Sequence, residues 1–166
     1  MTDRACLCSI LHPDALKNCS GSRYTFNQSN GNGYSWSDSE NICAGFGYDL
    51  VSIENREEWN FLNQTIQTMK TGEYFIGLRK DGTGIWRWLS DRSTVDASAK
   101  GKWPWALDEP SDGNLKENCA LMYKYYRSRY GGYNNVDCST PHDKAGFICE
   151  CKDGEGNRTS IHIARN

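Results

Sequence analysis

Two amphipathic helical patterns followed by several short strands, one long unpatterned loop and eight cysteines predict an α+β domain stapled by disulfides. The two helices are expected to pack on small antiparallel sheets. Residues 23–28, RYTFNQ, alternate as a short strand, and NGNG at 30–33 is a turn cluster. SWSDSENICAGFG then opens a helix, with Ser37 as N-cap and Glu40 completing a capping box. Trp36, Cys43 and Phe46 share its inner face, and Gly45 and Gly47 supply the stop. DLVSI is a brief strand. The second helix is NREEWNFLNQTIQTM, capped by Asn55 with Glu58 at the box position, and Trp59, Leu62, Ile66 and Met69 form its buried stripe.

After Gly72 the period changes to two. EYFIGLRK and IWRWLS read as strands joined by the hairpin turn DGTG. Residues 90–118 carry neither helical nor alternating pattern, and a loop of that length in a compact domain tends to be functional. CALMYKYY and AGFICECK resume the strands. One domain is expected over residues 1–151, with a polar tail over 152–166.

Composition narrows the function. A net charge of -2 gives no general attraction to nucleic acid or acidic membranes, and no run of 18 apolar residues provides a transmembrane segment. The N-terminus MTDRACLCSI lacks the apolar core of a signal peptide. Eight cysteines nevertheless read as an extracellular disulfide framework. Zinc is the competing reading, but Cys6-x-Cys8 and Cys149-x-Cys151 have shorter spacers than zinc pairs, and no histidine sits at finger spacing. Sequons at Asn18, Asn27, Asn63 and Asn157 point the same way, to N-glycosylation of a secreted chain or the ectodomain of a membrane protein. Catalysis is not expected: His12, His142 and His162 lack nucleophile or metal-ligand spacing, and no apolar pocket is evident to make a glycosidase pair of Glu109 and Glu117.

Two segments gather oxygen-bearing side chains. EPSDGNLKENC holds Glu109, Ser111, Asp112, Asn114, Glu117 and Asn118, and YNNVDC holds Asn134, Asn135 and Asp137. At this density such residues are either turn formers on a wet surface or ligands for a hard cation.

Several motifs together resemble the C-type lectin-like domain, a member of the C-type lectin superfamily, over roughly residues 8–151. They are the helix carrying Cys43, the strand motif Phe75-Ile76-Gly77-Leu78, Trp105 ahead of Glu109-Pro110, Cys119, Asn134-Asn135 before Cys138, and Gly146-Phe147-Ile148-Cys149. Within the family, DEPS followed by the Cys-x-x-x-Tyr strand and GGY is most similar to the layilin and chondrolectin branch. The resemblance implies disulfides Cys43–Cys149 and Cys119–Cys138, and a long-form hairpin bridge Cys8–Cys19, which leaves Cys6 to pair with Cys151.

It also implies a calcium site that doubles as the sugar site. Glu109, Glu117 and Asn134 match family ligands, while Ser111 and Asn135 stand where the family usually has an amide or acid and an aspartate. Pro110 matches the family's cis proline. The implied ligand set for Ca2+ and for sugar is therefore Glu109, Ser111, Glu117, Asn134 and Asn135, with two carboxylates where three are usual. Asp112 falls at an accessory calcium position, but Asn118 and Val95 replace further acids there.

The expected partners are glycans. The family's Glu-Pro-Asn triplet goes with mannose-like sugars, so Glu109 leans that way, with galactose-like sugars as the other choice. The stretch YKYYRSRYGGY, with five tyrosines beside Lys124, Arg127 and Arg129, is either rim packing or a patch for an anionic glycan or a glycoprotein. The rival function is a calcium-independent protein-binding receptor or adhesion module built on the same fold.

Overall fold

A computed structural model of the chain describes residues 16–17, 22–111 and 113–152. Its strands are β1 (Leu16–Lys17), β2 (Ser22–Asn27), β3 (Asp49–Leu50), β4 (Glu73–Lys80), β5 (Trp86–Trp88), β6 (Cys119–Tyr123), β7 (Tyr125–Tyr126), β8 (Arg129–Tyr130), β9 (Tyr133–Val136) and β10 (Ala145–Lys152). The described helices are α1 (Trp36–Gly45) and α2 (Arg56–Gln67).

The two helices match the expectation except at the start of α1 and at Phe46, which caps the end of α1 and is exposed rather than on its inner face. The cap of α1 is Ser35 rather than Ser37, and its box partner is Asp38 rather than Glu40. Helix geometry starts two residues early because Trp36 is drawn inward, its indole N–H donating to the Ile76 carbonyl at 2.8 Å. Ser37 instead donates to the Cys138 carbonyl. In α2, Asn55 caps as expected by accepting from the Glu58 N–H at 2.8 Å. The Glu58 carboxylate reaches past the cap, accepting from the Glu54 N–H and the Tyr24 hydroxyl.

The strands join one mixed sheet, ordered β1-β2-β10-β4-β6-β9, with β3 on β10 and β5 on β4; β7 and β8 form a separate hairpin. This is larger than the small antiparallel sheets expected. The last strand, β10, inserts between β2 and β4, and it runs parallel to β4 while pairing antiparallel with β2.

Burial on both faces follows the period of two. Tyr74, Ile76, Leu78, Ala120, Met122, Tyr133 and Ile148 pack with Trp59, Leu62 and Ile66 of α2. Phe75, Leu121, Val136, Ala145 and Phe147 pack with Trp36 and Cys43 of α1 on the other side. Strands buried twice over read as continuous apolar runs, which is why β4 and β10 stand out in the sequence. At Gly77 an added Cβ would lie 2.6 Å from the Leu50 carbonyl oxygen, so only glycine lets the 50–51 segment cross β4 this closely.

Cystines Cys43–Cys149 and Cys119–Cys138 form as the resemblance implied, with Cα–Cα separations of 5.6 and 5.1 Å. The first ties α1 to β10. The second joins the start of β6 to the end of the β9 segment. Cys151 is bridged; its expected partner Cys6 and the expected pair Cys8–Cys19 lie outside the described residues, as do Asn18, Asn157 and nearly all of the tail.

Candidate functional site

The long loop is anchored by aromatic residues. Trp105 is fully buried, packs 4.8 Å from Trp86, and donates its indole N–H to the Asp96 carbonyl at 3.1 Å. Backbone bonds from Ala106 N–H to Tyr133 O and from Tyr133 N–H to Pro104 O fasten the loop to β9. Glu109 follows directly, with its own N–H on the Ala106 carbonyl and its carbonyl accepting from Gly101. The Glu109–Pro110 peptide is cis, as is Trp103–Pro104.

The result is a buried carboxylate. Glu109 is 2% exposed, and its Oε1 pairs with Arg127 Nη1 at 2.8 Å. Its Oε2 is buried with no hydrogen-bond partner among the described residues. Burial raises the Glu109 carboxyl above its usual range; the Arg127 charge and the neighbouring Ser111 N–H and hydroxyl oppose the shift, and the Glu117 charge adds to it.

Beside it three polar groups interlock. Asn135 Oδ1 accepts from the Ser111 N–H at 2.7 Å, and Asn135 Nδ2 donates to the Ser111 carbonyl at 2.8 Å. Ser111 Oγ donates to Glu117 Oε2 at 3.1 Å, an oxygen that also lies 3.3 Å from Asn135 Nδ2. Asn135 is 2% exposed and on the α2 side of β9. Glu117 reaches the cluster from the turn before β6, where its N–H meets the Asn114 carbonyl. Four of the five expected site residues therefore converge: Glu109, Ser111, Glu117 and Asn135.

Asn134 does not join them in this structure. It alternates to the opposite face of β9, where it hydrogen-bonds the Tyr123 hydroxyl. Asp137 is a turn residue: its carboxylate accepts from the Ser139 N–H and Oγ, which hold it below the usual carboxylate range. Asn114 accepts from the Lys116 N–H and Asn118 donates to the Leu115 carbonyl, so both also serve local turns. Asp112 lies outside the described residues.

The tyrosine-rich stretch folds as the β7–β8 hairpin against this loop. Its cations are engaged inside the molecule: Lys124 Nζ with the Met69 carbonyl, Arg129 Nη1 with the Trp105 carbonyl, Arg127 with Glu109. Arg127 is the site residue that sequence reading misses as a site contact. Of the sequons, Asn27 donates Nδ2 to Thr25 Oγ1, and Asn63 accepts from Gln67; both are half-buried.

The donor set can be tested against calcium. Among the described residues no three His, Cys, Asp or Glu side chains converge, so a cation here relies on hydroxyl and amide oxygens too. Calcium accepts such mixed hard-oxygen sets, and an unpartnered buried carboxylate oxygen on Glu109 is the feature a cation would satisfy. The residues fit the ion.

The Lectin C-type domain family model matches residues 32–151. Rat P-selectin is 30% identical over 140 residues, which cover 84% of this chain and 17% of that protein. The cow C-type carbohydrate-recognition domain of CD23, solved in the presence of a GlcNAc2Man3 oligosaccharide, is 26% identical with a TM-score of 0.64, covering 84% of this chain and 95% of that one. The Ca2+-independent C-type lectin SPL-2 from Saxidomus purpuratus shares the fold at 22% identity and a TM-score of 0.65, covering 86% and 95%. The chain spans between 16% and 51% of the length of curated relatives it matches. Among the described residues no helix is long and apolar enough to cross a membrane.

Proposed function

Because the chain belongs to the C-type lectin domain family, whose domains bind carbohydrate and are not enzymes, we propose that it binds glycans through a calcium ion held by Glu109, Ser111, Glu117 and Asn135. Asn134, one residue upstream, is the fifth candidate ligand, at the expense of its Tyr123 contact. The single observation that carries the reading is the buried Glu109 Oε2, with no hydrogen-bond partner among the described residues, beside interlocked hydroxyl, amide and carboxylate groups.

A bound calcium would supply positive charge and open coordination positions for two neighbouring sugar hydroxyls. The chain's own groups set the stereochemistry. Glu109 and Glu117 oxygens accept from the sugar O–H groups, and the amide N–H of the half-buried Asn134 donates to their oxygens, because the Asn135 amide is already given to the Ser111 carbonyl. Ser111 both donates and accepts, so it discriminates little. Glu109 ahead of the proline favours mannose-like over galactose-like sugars. A single domain binds monosaccharide weakly, and useful avidity comes from several copies. The setting we propose is extracellular, with the domain exported or carried outside on a membrane protein and N-glycosylated.

One observation favours a second reading. Arg127 already neutralises Glu109, which suits a calcium-independent module that binds protein, or an anionic glycan, through the loop and hairpin surface. Immobilised mannose and galactose separate the two readings. The calcium reading expects retention in millimolar calcium and release by chelator. Failure to bind any sugar on a broad glycan array in calcium would replace it with the protein-binding one.

A further inference from the structure

We propose that Arg127 is the resident cation of the Glu109 cradle, and that it and a divalent ion are mutually exclusive occupants of that carboxylate. The proposal rests on reading Glu109, Ser111, Glu117 and Asn135 as the ion site.

Glu109 is 2% exposed, and a carboxylate buried to that degree demands a positive partner. Arg127 supplies it from outside the loop, Nη1 to Oε1 at 2.8 Å, while Oε2 has no hydrogen-bond partner among the described residues. The guanidinium thus answers half of the carboxylate and leaves the other half open. Arg127 is presented by a two-residue turn between β7 and β8, where it and Ser128 both take positive φ, 41° and 62°. The turn is held to the same loop as Glu109: Leu107 N–H donates to the Arg127 carbonyl, and Arg129 Nη1 to the Trp105 carbonyl. The backbone can therefore stay docked while the Arg127 side chain comes and goes.

A doubly charged ion on Glu109 would sit against the guanidinium, and like charges at contact distance inside a partly dry site repel strongly. Of the two cations, the arginine is the one free to leave. Its side chain is 46% exposed and its Cζ lies 5.3 Å from the Tyr126 ring centroid, a seat that retains the charge when the carboxylate is given up. Arg127 thereby sets the calcium threshold of the domain. Without calcium it keeps Glu109 neutralised. As calcium rises it is expelled to the rim of the site.

The test is a calorimetric calcium titration of the 166-residue chain and of Arg127→Gln and Glu117→Gln variants. Arg127→Gln should bind calcium at least about tenfold more tightly than the parent, because a competing charge is gone. In the unaltered protein, phenylglyoxal modification of Arg127, followed by peptide mass spectrometry with Arg87 as reference, should accelerate on adding calcium. That second measurement serves if the variant fails to fold. Calcium binding that Glu117→Gln weakens but Arg127→Gln leaves unchanged, or labelling of Arg127 indifferent to calcium, overturns this proposal and leaves the ion site standing. No calcium uptake by parent or variant overturns both.

Discussion

The Asn135 side chain closes on the peptide of Ser111, taking its N–H at 2.7 Å and donating to its carbonyl at 2.8 Å. That pair of bonds holds the acid-proline-serine corner in register with β9. It also occupies the amide that stands where the family usually places an aspartate.

Asn135→Asp should therefore have opposite effects in the two conditions. In chelator the variant loses its donor to the Ser111 carbonyl and adds a third carboxylate near Glu109 and Glu117. A loss of about 1 to 3 kcal/mol follows from leaving buried groups unpaired. In calcium the added charge should tighten the ion by roughly tenfold. Thermal unfolding in both buffers checks this, and equal stability change in each would contradict it.

The Cys119–Cys138 cystine, 19 residues apart, joins the arms that carry Glu117 and Asn135. Replacing both cysteines with alanine should cost about 3 kcal/mol from loop entropy, whereas removing Cys43–Cys149 should cost about 4 to 5. The distinguishing expectation concerns the site. Loss of the shorter bridge should weaken calcium binding as well, and loss of the longer one should weaken it less in molecules that stay folded.

A second buried acid pair lies away from this site. Glu150 accepts from Ser22 Oγ at 2.7 Å and the Ser52 N–H at 3.1 Å, and it faces Glu58, Tyr24 and Lys152. Burial and then the Glu58 charge push its carboxyl up to about 7, against the pull of Lys152. The folded state therefore holds this proton more tightly than the unfolded chain, and its contribution to stability is greatest at acid pH and lost as pH rises through about 7. Glu150→Gln can keep both hydrogen bonds. It should flatten the fall in Tm between pH 5 and 8, and an unchanged pH profile would count against the assignment.

Much of the scaffold is legible in the sequence for physical reasons. β4 and β10 are apolar on both faces, and α2 carries one clean stripe, so pattern and structure coincide. β9 is hidden because YNNV is short and places the buried polar Asn135 at a core-facing position, which local pattern reads as a turn. CALMYKYY reads as one strand, yet β6 ends at Tyr123, where Lys124 N–H turns to the Gly72 carbonyl and the hairpin begins. The turn at Arg127-Ser128 lacks the Asn-Gly signal that announces positive φ. Nothing local marks Arg127 as the partner of an acid 18 positions earlier.

The most direct measurement is thermal unfolding of the parent chain and of Glu117→Gln with calcium or with chelator. A ligand that binds only the folded state raises Tm with its concentration. The parent should melt several degrees higher in millimolar calcium, and Glu117→Gln should lose most of that gain. A parent whose Tm ignores calcium, or a variant that responds as strongly as the parent, would contradict the cation site at Glu109, Ser111, Glu117 and Asn135.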